Sequence, residues 1–217
     1  MIHTHRNLWL SSVLLVFAAF AISALLWSRL PDPVPTHWGI DGRVNGWMPK
    51  FPGAVISPLV MIGMLALFAA LPAISPSGFR MERFGTVYSW MVLGLTALLL
   101  VIHVLVLSAA LGHDAAVSHG MPLVLAVAMI LLGNWMPKVR RNFFVGIRTP
   151  WTIANEEVWA KTHRFAGKTM VVGGVAAVIA AVSPAARWLP IALVLAAVLL
   201  PAVYSYVAWK SMQPARH

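Results

Sequence analysis

Glu156 and His163 are the pair in this sequence best placed to exchange a proton, a carboxylate and an imidazole on one helical face with Arg148, Thr149 and Asn155 close by in the chain. A second grouping, His37 with Asp41 and Asp32, offers an imidazole and carboxylates to a metal ion. His103 stands alone deep inside apolar sequence, where an ionisable group is a functional hypothesis by default. None of these is accompanied by a motif with a mechanism, such as HExxH or GxSxG, so no enzyme is expected. A metal needs three or four convergent ligands, and a His in a Gly/Pro-rich turn more often bonds its own loop, so neither metal nor cofactor is expected. No other span offers His103 an acid, Lys or Arg, which leaves a neutral ring bonded to a carbonyl or a Ser/Thr hydroxyl. The chain has no cysteine, which excludes disulfides, thiolate metal sites and cysteine nucleophiles.

The elements that carry these residues are read from composition. Of 217 residues, 60% are hydrophobic and 10% charged, against about 25% charged in soluble domains. The apolar runs match the roughly 20 helical residues that cross a hydrocarbon core. They are apolar on every face, which disfavours the period-two alternation of a β-barrel. The expected fold is all-α, a polytopic bundle of six transmembrane helices at about 8–28, 54–74, 86–111, 119–136, 167–183 and 189–209. The first run, Leu8 to Trp27, is longer than the apolar region of a signal peptide and reads as an uncleaved span. With both termini cytoplasmic, twelve of the sixteen Lys and Arg residues lie inside and only Arg29, Arg43, Lys50 and Arg187 outside. That bias predicts a multi-pass protein of the cytoplasmic (inner) membrane, with the 133–168 loop inside. The +10 charge is then topogenic and lipid-facing, with no direct nucleic-acid partner.

Two loops stand out. The outer one, 29–53, enters extended through Pro31, Pro33 and Pro35 and turns at Asp41-Gly42 and Asn45-Gly46, which suggests an ordered cap with a hairpin. Trp38 and Trp47 fall at headgroup depth, and a recognition role for them is the alternative to simple anchoring. The inner one carries the basic cluster Lys138, Arg140 and Arg141, then Phe143-Phe144 and a turn through Gly146 to Trp151. From Thr152 or Asn155 an amphipathic helix is expected along the inner interface before span five. Glu156 and Glu157 lie at its start, Val158, Trp159, Thr162, Phe165 and Ala166 on one face, and His163 and Arg164 with the polar residues opposite. Glu157 and Lys161 are spaced for an ion pair. Span five also carries Gly173, Ala177 and Ala181, a small-residue stripe for close helix packing within or between protomers. Trp-Met-Pro-Lys occurs at 47–50 and 135–138, a hint of two inverted halves.

The ordered string Asn142-Phe143-Phe144-Val145-Gly146-Ile147-Arg148-Thr149-Pro150-Trp151-Thr152, then Asn155-Glu156-Glu157-Val158-Trp159 through His163-Arg164 to Gly167-Lys168, resembles the SdpI family of toxin-immunity membrane proteins. The outer stretch from Pro31 to Trp38, with Gly42 and Gly46, is similar to the short uncharacterised domain that often precedes that region. The resemblance implies two units: 1–75, two spans with the outer loop, and 76–217, four spans with the inner loop at 136–167. It also implies protection from a secreted membrane-active peptide toxin, a form of bacteriocin resistance, together with signal transduction by holding a small cytoplasmic repressor at the membrane. His37, Trp38, Asp41 and Trp47 would then face the toxin, and the 142–164 motif the repressor. A homo-oligomer is compatible with the small-residue stripe. The alternative reading is a small transporter or lipid-interacting channel, supported by His103 and the membrane-embedded prolines.

Overall fold

The computed structural model describes residues 5–39, 42–113, 115–181 and 188–213, and six of its helices are long and apolar enough to cross a membrane. Helix α1 (Arg6–Leu26) leads to strands β1 (Val34–Trp38) and β2 (Val44–Met48), then to α2 (Lys50–Ala70) and α3 (Gly85–Ala110). Helix α4 (Ala115–Trp135) is followed by the short α5 (Pro150–Ala154) and by α6 (Glu156–Ala181) and α7 (Leu189–Lys210). The chain is a multi-pass helical membrane protein, as its composition predicts. The 29–53 loop forms an antiparallel hairpin, pairing Val34 with Met48 and Trp38 with Val44.

Two boundaries differ from the sequence expectation. Helix α2 begins at Lys50, before the proline and glycine at 52 and 53. Pro52 falls in the first turn, where a missing N–H is no loss, and Asp32 Oδ1 accepts the Lys50 N–H at 3.1 Å from across the hairpin. The amphipathic segment is the larger correction. It is not a separate interfacial helix but the first half of the span, because α6 runs unbroken from Glu156 to Ala181. Gly167, the residue where a turn into the membrane was expected, keeps helical backbone, since one glycine weakens a helix without breaking it.

Helix α6 packs between α4 and α7, and its glycines let it do so. A Cβ on Gly173 would lie 2.7 Å from the Ala197 Cβ of α7, and one on Gly174 would lie 2.8 Å from the Ala126 carbonyl of α4. The small-residue stripe is thus used inside the protomer. The two Trp-Met-Pro-Lys copies are not equivalent: the first leaves β2 and opens α2, while the second closes α4 in a 3-10 turn at Met136–Lys138.

A proline in or just after a span leaves the carbonyl four residues back without a helical donor, and at three such places a hydroxyl of a neighbouring helix takes it up. Pro58 cannot serve Ala54 O, which accepts from Ser23 Oγ of α1 at 2.7 Å. Pro72 cannot serve Phe68 O, which accepts from the Tyr88 hydroxyl of α3 at 2.7 Å. Pro201 cannot serve Ala197 O, and Thr169 Oγ1 of α6 donates to it at 3.3 Å. His103 joins the first of these pegs. Its Nε2 lies 3.0 Å from Ser23 Oγ and 3.2 Å from Ala19 O. Ser23 spends its proton on Ala54, so His103 Nε2–H is the donor to both. The ring bonded to a carbonyl and a Ser hydroxyl that the sequence suggests is what the structure contains. Ser23→Ala is expected to cost about 1 kcal/mol in a detergent unfolding titration, and His103→Leu about as little, with function retained. A loss of function at His103 with normal stability would instead make it a proton carrier.

Candidate functional site

The loop between α4 and α6 is built from side chains that bond backbone. Asn142 is fully buried and uses its whole amide. Its Nδ2 donates to Arg140 O at 2.9 Å and to Val145 O at 2.8 Å, and its Oδ1 accepts from Phe144 N at 2.8 Å and Val145 N at 2.7 Å. Gly146 follows with φ of 112°, a conformation that favours glycine, and turns the chain so that Ile147 N–H donates to His163 Nε2 at 3.1 Å. The other ring nitrogen, Nδ1–H, donates to Trp159 O at 2.9 Å. Those two bonds fix the tautomer. The ring is stacked on Trp159 with centroids 4.0 Å apart, and Trp159 Nε1–H donates to Val139 O at 2.9 Å.

The next turn is a capping box. Thr149 and Thr152 bond each other's backbone and start α5, with Pro150 as its first residue. Trp151 of α5 docks on α7, where its Nε1–H donates to Ser205 Oγ at 2.6 Å and its ring stacks on Trp209. Asn155 then caps α6, accepting from Glu157 N at 2.8 Å and Val158 N at 3.1 Å. Arg141 donates to Ile153 O at 2.9 Å and lies over the Phe79 ring.

The motif therefore divides in two. Asn142, Thr149, Pro150, Trp151, Asn155, Trp159 and His163 hold the loop together. Arg148, Glu156, Glu157 and Arg164 are exposed, with Arg148 bonded to Phe143 O at 2.7 Å and Glu157 paired to Lys161 at 2.9 Å. Val158, Trp159, Thr162 and Ala166 form the buried face expected of them, but His163 does not join the polar face: it is 1% exposed, and both nitrogens are already committed. That arrangement separates it from the exposed Glu156 and leaves it no lone pair for acid–base work. Ser205 and Val139 complete the loop without any local signal in the sequence, while Thr152, expected as a helix cap, is instead the third residue of the capping box that Thr149 opens.

At the other end of the bundle the hairpin roofs a cavity of about 480 Å³. Thr36, His37 and Trp38 of β1 line it from above, Ser57 of α2 and Ile102 and Val106 of α3 from two sides, and Met121 and Leu125 of α4 from a third. The Trp38 Nε1–H is buried and has no hydrogen-bond partner among the described residues. His37 Nδ1 instead bonds Asn45 Oδ1 across the hairpin, and Asp32 holds the start of α2. Both described members of the supposed metal grouping thus serve the loop, while Asp41 lies outside the described residues. Trp47 is exposed on the far strand.

The SdpI/YfhL protein family matches residues 138–205, and a domain of unknown function, DUF1648, matches residues 14–62. The chain is 29% identical to the immunity protein SdpI of Bacillus subtilis (strain 168) over 167 residues, 75% of this chain and 76% of that one. No solved structure matches it. With one match on the sealed loop and the two helices after it, another on the hairpin and parts of the spans on either side, and a relative similar over three quarters of its length, the chain is similar to the SdpI family of membrane proteins.

Proposed function

We propose that this protein is an immunity protein of the cytoplasmic membrane, protecting its host from a secreted membrane-active peptide. The observation that carries the reading is the hairpin-roofed cavity, whose walls are mainly aliphatic and whose roof holds an indole N–H with no partner among the described residues. An amphipathic peptide presents the matching chemistry: an apolar side chain for the cavity and a backbone carbonyl for Trp38. In this reading both termini are cytoplasmic and the hairpin faces outward, in keeping with the distribution of Lys and Arg. The similarity to an immunity protein supports it. The exposed side chains of the opposite end, Arg148, Glu156 and Arg164, are then the surface offered to a cytoplasmic repressor.

The test is survival and membrane potential of sensitive cells expressing the protein, challenged with a family peptide toxin. The wild-type chain protects. Met121→Trp, which fills the cavity, loses protection at unchanged membrane level, whereas Arg148→Ala keeps protection and loses induction of a repressor-controlled reporter. Equal protection by Met121→Trp would remove the cavity from the mechanism. Failure of the wild-type chain to protect would overturn the immunity reading itself.

A further inference from the structure

A groove at the basic end shares Arg164 with the exposed surface described above and otherwise carries chemistry that neither the cavity nor the sealed loop uses. It has a volume of about 850 Å³ and lies between the end of α4, the first half of α6 and Tyr204 of α7. Lys138, Lys161, Arg164 and Lys168 all line it. Lys161 is paired with Glu157, while Lys138, Arg164 and Lys168 have no acidic partner among the described residues. Four like charges around one groove repel one another, and an anion relieves that repulsion.

The groove is also graded. Residues 161, 164, 168 and 172 follow the three- and four-residue spacing of one helix face, so Lys161, Arg164 and Lys168 give way along α6 to Val171 and Val172. Val172 is 68% exposed, an apolar side chain open at the flank of a spanning helix. At 1.5 Å per residue the passage from Lys161 to Val172 covers roughly 16 Å, the step from headgroup to acyl chain. The two helices meet closely beneath it, since a Cβ on Gly167 would lie 3.0 Å from Gly133 O. Phe165, stacked on Tyr204 at 4.3 Å, forms the other wall.

We infer that this groove is a binding site for an anionic phospholipid, with the phosphodiester headgroup held by Lys138, Arg164 and Lys168 and an acyl chain laid along Val171 and Val172. Allowing for Glu157, three positive charges remain in excess, which favours a lipid with two phosphates over one with a single phosphate. The site does not depend on the immunity reading, because it stands on the spanning helix and the charges along it.

The experiment is native mass spectrometry with thermal unfolding of the delipidated full-length protein. Diphosphatidylglycerol, phosphatidylglycerol or phosphatidylcholine is added, with inorganic phosphate as a separate arm. Expected is one retained diphosphatidylglycerol, weaker phosphatidylglycerol and no specific phosphatidylcholine, with a rise in Tm in the same order. The exposed double variant Arg164→Gln/Lys168→Gln loses at least about tenfold in affinity, Lys138→Gln alone loses part of it, and Arg29→Gln at the hairpin end loses none. The lipid-free Tm of each variant reads folding independently. Binding unchanged in both the double variant and Lys138→Gln would overturn the site. Equal stabilisation by inorganic phosphate alone would make it a phosphate site and overturn the lipid assignment.

Discussion

Gly146→Ala unfolds the basic end of the bundle. Its φ of 112° lies where L side chains are strained, and a Cβ there would stand 2.3 Å from His163 Nε2 and 3.2 Å from Trp159 Cζ2. The imidazole cannot step aside, because one nitrogen is held by Ile147 N–H and the other by Trp159 O, and the ring is pressed on the indole. Relief of the clash breaks at least one of those bonds inside a buried site. Strain of about 1–3 kcal/mol and a buried unsatisfied group of about 1–3 kcal/mol together predict a loss of about 3 kcal/mol or more in a detergent unfolding titration. Gly63→Ala is the control: nothing lies within 4 Å of the added Cβ, and stability is expected to stay within about 0.5 kcal/mol. Equal Tm values for the two variants would mean that the turn at Gly146 is not where the loop is fastened.

The second large effect is at Asn142. Truncation to alanine removes four hydrogen bonds at once and leaves the Phe144 and Val145 N–H groups and the Arg140 and Val145 carbonyls to find other partners. The expected cost is about 3 kcal/mol or more. Asn142→Asp is no rescue, since it keeps the acceptors but sets a carboxylate against two carbonyls. Limited trypsin digestion gives a local reading: cleavage after Arg140, Arg141 and Arg148 should accelerate in both variants while the spanning helices stay intact. Unchanged digestion would show that the turn holds its shape without this amide.

The spans were legible because a helix in lipid must be apolar on every side, and a run such as Leu189 to Trp209 has no other solution. Asn142, Trp151 and Trp159 were legible as belonging to one motif, but not as fasteners. What an amide or an indole bonds is decided by where the chain returns, and Trp151 meets Ser205 only because α7 comes back beside α5. His163 shows the limit most clearly. Residue type assigns it to the polar face of α6, whereas the backbone of Ile147, brought in by the Gly146 turn, gives its second nitrogen a partner and allows burial. The cavity under the hairpin was not visible at all, since its walls come from distant stretches of chain that share no local pattern. The break expected before span five failed for a simpler reason: composition changes there, but no residue stops a helix.

The hydroxyls that meet the proline-freed carbonyls have a mechanical consequence. Between apolar helices in lipid, little fixes how far one is shifted along its axis against the next, because sliding exchanges one methyl contact for another. A hydroxyl seated on an orphan carbonyl inside a helix is different, for the carbonyls on either side are taken by the helix's own N–H groups. Ser23 on Ala54 therefore opposes axial slip of α1 against α2, and Thr169 on Ala197 does the same for α6 and α7. A piston within either pair has to break such a bond. A signal passing from the hairpin to the basic loop has to travel as tilt or rotation of whole helix groups.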